Sequence, residues 1–103
     1  MRIPVLVALT AVFHAGLAYA ASGNAEAGRQ LATRSCSTCH AIEAATRVID
    51  GAPPFSAIAK TNKERPAWIR GWLMSPHPPM PSISLSRQQI DDIVAYLGML
   101  PTE

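Results

Sequence analysis

The chain has 103 residues, nine basic and seven acidic side chains, a formal charge of +2, and 49% hydrophobic residues. This length makes one small domain. A balance so close to neutral lacks the basic surface of a nucleic-acid binder, so no nucleic acid is expected as a partner. The sequence holds no internal repeat and no low-complexity tail.

Residues 1–20 read as a cleaved secretory signal. Arg2 supplies a basic start, residues 5–13 are apolar, and Ala18-Tyr19-Ala20 has the small-x-small form of a cleavage site. The apolar run is short for a membrane span and is diluted by Thr10, His14 and Gly16; an uncleaved anchor is the competing reading. No cysteine suited to a lipid anchor follows it. Cleavage after Ala20 leaves a domain of residues 21–103, 83 in all, exported to the periplasm with no stable membrane insertion. A core of that size commonly leans on a disulfide, a metal or a cofactor.

In the exported domain, residues 25–35 are expected as the first helix. Asn24 is placed to cap it and Glu26 sits in its first turn, where a carboxylate suits the helix dipole. Gly28 inside this helix costs about 1 kcal/mol relative to alanine, which close helix contact would offset.

Cys36-Ser37-Thr38-Cys39-His40 follows directly. A bare C-x-x-C is ambiguous in an oxidising compartment, where a disulfide or a redox dithiol are alternatives. The adjoining histidine selects another chemistry. Two thiols at this spacing can each form a thioether with one haem, and the next imidazole lies where it can ligate the iron. A zinc site would need two more soft ligands, and a thioredoxin-like dithiol would need a βαβ pattern that is missing. Cys36, Cys39 and His40 are therefore read as the covalent haem c site.

Beyond the motif the chain turns irregular. Gly51-Ala52-Pro53-Pro54-Phe55 sets a turn, and residues 55–60 are expected as a short second helix. A third helix is expected over residues 66–74, with proline at its first position and Trp68, Ile69, Trp72 and Leu73 on one face; Pro76 ends it. Core packing is the plain reading of each tryptophan. Arg70, Lys60 and Lys63 are read as solvated charges.

The last helix has the clearest signature. Ser86-Arg87-Gln88-Gln89 has the form of a capping box, and Ile90, Ile93, Val94, Leu97 and Leu100 recur at helical spacing before Pro101. Asp91 and Asp92 are expected on its outer face. With no alternating strand pattern, the fold class is all-α.

Candidates for a second iron ligand are His77, Met74, Met80 and Met99. Met99 and Met74 lie on helices and read as packing. Met80 stands in Pro76-His77-Pro78-Pro79-Met80-Pro81, where prolines hold an extended loop in one shape. A preorganised loop helps a weak thioether ligand stay on the iron, which favours Met80 over His77 or an open position.

Taken together, Gly28 with the C-x-x-C-H of residues 36–40, the proline turn before Phe55, and Met80-Pro81 ahead of the last helix resemble the class I c-type cytochromes, of the small bacterial single-haem type. The resemblance spans essentially all of residues 21–103. It implies three to five helices wrapped around one covalently attached haem, with His40 as the proximal and Met80 as the distal ligand. It also implies that Gly28 and Ala32 cross the last helix at Ile93 and Tyr96; the family often has an aromatic residue in place of Ala32. The Pro53 carbonyl, with Pro54 as its neighbouring alternative, would accept a hydrogen bond from the His40 ring. The implied activity is one-electron transfer by a monomer between redox protein partners, not catalysis. A haem subunit of a larger dehydrogenase, or a sensor or enzyme with an open sixth position, are the alternatives.

Overall fold

The computed structural model describes residues 23–43, 51–75 and 78–101. The expected signal segment and His77 lie outside the described residues, as does Pro76. Among the described residues there are four helices and no strand, an all-α fold: α1 (Ala25–Ser35), α2 (Phe55–Asn62), α3 (Pro66–Met74) and α4 (Arg87–Met99).

Local sequence explains where most helices begin. Asn24 is extended (φ −95°, ψ 114°), and its Oδ1 accepts the Ala27 N–H at 2.8 Å. At the start of α4, the Ser86 hydroxyl accepts the Gln89 N–H at 3.1 Å. The Gln89 Oε1 returns the favour to the Ser86 N–H at 2.8 Å, completing the capping box. Helix α3 starts on Pro66, whose missing N–H has no intrahelical partner to lose. Helix α2 runs two residues past its expected end, to Asn62, closing with the Lys63 N–H on the Ala59 carbonyl at 2.8 Å.

Helices α1 and α4 cross in close contact. A Cβ on Gly28 would stand 1.9 Å from the Asp92 carbonyl oxygen, so only glycine lets these two backbones approach. Around the crossing Ala32 (0% exposed), Leu31, Ile93, Tyr96 and Leu97 form a core that continues into Ile42, Phe55, Ala59 and Ile69. The small Ala32 side chain lets the helices close up. Tyr96 supplies aromatic bulk from α4 instead, and its hydroxyl donates to the Ile42 carbonyl at 3.1 Å. Burial raises that phenol above its usual range.

Three expectations are corrected. Asp92 is buried, not outward: its Oδ1 accepts the Asn24 N–H at 2.7 Å and the Gln88 amide at 2.9 Å. The first turn of α1 has N–H groups without helical partners, and Asp92 reaches across to one flanking them. Asp91, unlike Asp92, is not buried, and it accepts from the Arg70 Nε at 2.7 Å in an ion pair that leaves the Arg70 side chain 42% exposed. Met74 and Met99, expected as packing, are 64% and 73% exposed. Each is the last residue of its helix, where the chain leaves the core. Trp68 and Trp72 are 42% and 47% exposed, because the face they share borders a cavity, not the α1–α4 core.

Candidate functional site

The C-x-x-C-H segment continues from the end of α1 as tight turns. The Cys36 N–H bonds the Ala32 carbonyl at 2.8 Å, and the Cys36 carbonyl accepts the N–H groups of Cys39 (3.2 Å) and His40 (2.8 Å). Cys36 and Cys39 are not joined to each other, and both line the same cavity as His40. Burial pushes the Cys36 thiol up.

His40 is held from two sides. Its Nδ1 lies 2.7 Å from the Pro53 carbonyl oxygen. A carbonyl can only accept, so Nδ1 carries the proton and Nε2 keeps a free lone pair. The Phe55 ring meets the imidazole edge-on, with centroids 5.6 Å apart and planes at 66°. The proline turn that presents Pro53 begins at Gly51, whose φ of 76° favours glycine. It is tied back to the motif by the Phe55 N–H on the Ala41 carbonyl at 2.9 Å.

The cavity encloses about 610 Å³, within the range of ligand pockets, and its walls are largely apolar. Phe55 and Ile58 of α2 form one wall; Trp68, Ile69, Trp72 and Leu73 of α3 form the next. Ile93 and Leu97 of α4 lie behind. Pro78, Pro79, Met80, Pro81 and Ile83 bring the proline loop to the remaining side, so Met80 borders the same space as His40. The Pro78–Pro79 peptide is cis. Trp68 and Trp72 stack at 5.2 Å and 15°, with the Arg65 guanidinium 5.1 Å above the Trp68 ring.

One lining residue had not been singled out. Asn62, at the end of α2, is only 7% exposed, and its Oδ1 accepts from Arg65 Nη2 at 2.9 Å. The signal was in the sequence: with Phe55 and Ala59 it completes the buried helical stripe i, i+4, i+7, where a polar residue is out of place.

These residues fit a haem. Two thiols, an imidazole with a free Nε2 and an apolar chamber are the donor set and surroundings that a thioether-linked haem requires. Among the described residues there is no group of three or more His, Cys, Asp or Glu side chains that could hold a bare metal ion. Nor is any described helix long and apolar enough to cross a membrane.

Comparison with known proteins agrees. A family model described as Cytochrome c matches residues 25–101. The chain is 35% identical over 82 residues to a cytochrome c-552 of Bradyrhizobium diazoefficiens, covering 79% of each chain. No solved structure matches it. With thiols, imidazole and apolar chamber assembled on four helices, the chain belongs to the cytochrome c family, as an electron-carrying protein whose haem c is covalently held through Cys36 and Cys39.

Proposed function

We propose that the protein is a periplasmic one-electron carrier whose haem iron is ligated axially by His40 and Met80, shuttling between redox proteins with no catalytic residue of its own. The observation that carries this reading is the shared cavity: His40, with Nε2 free, and the proline-framed Met80 border one apolar space. Export is supported by the signal-like pattern of residues 1–20.

The haem supplies one-electron iron chemistry, and the chain sets its conditions. The Pro53 carbonyl holds the His40 tautomer and makes the ring a better donor. Prolines on both sides of Met80 limit the excursions of a weak ligand. Filled axial positions leave little to rearrange when the charge on the iron changes, and the thioether raises the potential relative to a harder ligand. The apolar walls exclude water and disfavour the more highly charged oxidised form.

An optical spectrum tests this. The oxidised protein is expected to be low-spin, with the weak sulfur-to-iron absorption in the far red. Met80→Ala is expected to abolish that band, lower the potential and admit cyanide or imidazole. Retention of the band in this variant would remove Met80 as ligand. Immediate cyanide binding by the unmodified protein would favour an open-site sensor or enzyme over a carrier.

A further inference from the structure

Two methionines stand in solvent, and their surroundings differ. Met99 is 73% exposed at the end of α4, and Met74 is 64% exposed at the end of α3. Neither borders the haem cavity, as Met80 does. Met74 lines a separate cleft of about 330 Å³ between α3 and α4, together with Arg70, Arg87, Ile90 and Asp91. Helical spacing makes this cleft. Arg70 and Met74 are four apart on α3, while Arg87, Ile90 and Asp91 fall at i, i+3 and i+4 on α4. Ile90, 4% exposed, gives it a buried apolar side.

The two arginines are not equivalent. Arg70 is occupied, its Nε donating to Asp91 Oδ1 at 2.7 Å. Arg87 is exposed and makes no hydrogen bond or ion pair among the described residues. A thioether is a weak acceptor, so the Met74 sulfur offers that guanidinium little. A sulfoxide is polar, and its oxygen can accept a charge-assisted hydrogen bond from an arginine.

We propose that Met74 is a reversible oxidation site whose sulfoxide is received by Arg87, tightening the contact of α3 with α4. The oxidant is a peroxide, with hydrogen peroxide as the simplest case. The sulfur lone pair attacks one peroxide oxygen, and the S–O bond forms as the O–O bond breaks. The departing hydroxide takes the proton of the transferred oxygen and leaves as water. The thioether thus gives up an electron pair, by which the peroxide is reduced. Methionine sulfoxide reductases reverse the change. Met99 is the internal reference, open to the same oxidant but outside the cleft. Neither the axial ligands of the iron nor the carrier reading enters this inference.

The site is tested on the haem-loaded protein with dilute hydrogen peroxide, followed by peptide mapping in a mass spectrometer. Met74 and Met99 are expected to gain oxygen at comparable rates, and a methionine sulfoxide reductase to remove it from both. Met74 still unreacted when Met99 is converted would overturn the site. The receiver is tested without peroxide. Met74→Gln puts an amide oxygen where the sulfoxide would stand, and Met74→Leu is its apolar control. The Gln variant is expected to melt a few degrees above the Leu variant. Adding Arg87→Gln to both should erase that difference. A difference that survives Arg87→Gln, or none in its presence, would overturn Arg87 as the receiver.

Discussion

The α1–α4 crossing and the cavity side of the molecule are built on opposite principles. The crossing is completed by protein alone: glycine permits contact, apolar side chains fill the space, and Asp92 and Tyr96 satisfy the nearby backbone groups of Asn24 and Ile42. The cavity side is a shell. Trp68, Trp72 and Met80 lie around a space of about 610 Å³, with the two stacked tryptophans partly exposed. The lesson is that half of this small domain is a core and the other half is a mould for its cofactor. Damage to the first should read out as stability, and damage to the second as loss of the haem-dependent fold.

The largest expected effect comes from removing the haem attachment. Cys36→Ala with Cys39→Ala should leave the cavity walls without their filling, and thermal unfolding followed by circular dichroism should lose most of its cooperativity. A sharp transition in this double variant would mean that the crossing sustains the whole fold unaided.

Gly28→Ala attacks the other half. A Cβ 1.9 Å from backbone forces the helices apart, because a carbonyl cannot swing away as a flexible side chain can. A loss of about 3 kcal/mol in denaturant unfolding is expected, with the haem spectrum retained. A stability unchanged within error would show that the crossing is looser than the contact implies.

A smaller loss is expected from Tyr96→Phe, which deletes the 3.1 Å bond to Ile42 and should cost about 1 kcal/mol near neutral pH. The pH dependence carries a sign. The folded phenol titrates above its reference of 10.0, so its contribution is complete below pH 10 and fades as pH rises through the folded value. The gap between the two proteins should therefore narrow in strong alkali.

Glu26→Gln is expected to do least. Hydrogen bonds from Arg29 (2.9 and 2.6 Å) and then Gln30 hold the Glu26 carboxyl down at about 2 against a reference of 4.5. The pair is exposed, where such bridges are worth little. Its contribution is present above pH 4.5 and lost as pH falls toward 2. Melting temperatures of the two proteins should differ slightly at pH 6 and converge near pH 2. A gap that persists there would assign the effect to packing instead of charge.

What the amino-acid sequence determined by itself was everything written in short range. The cap at Asn24, the capping box at Ser86 and Gln89, and the proline at Pro66 each satisfy a helix end from within a few residues, so three helix starts were legible without the fold. The cysteines and histidine of residues 36–40 were legible for the same reason, since their chemistry depends on adjacent positions. Tertiary structure alone decided what depends on partners far along the chain. Asp92 reads as a surface residue until α1, 68 positions away, brings Asn24 against it. Trp68 and Trp72 read as core until the fold leaves a cavity beside α3. Pro53, not Pro54, faces the His40 ring because the turn at Gly51 fixes which carbonyl points inward. Periodicity tells a helix which face is apolar, but a buried face can meet protein, cofactor or a single charged group. Only the packed chain shows which of these stands opposite.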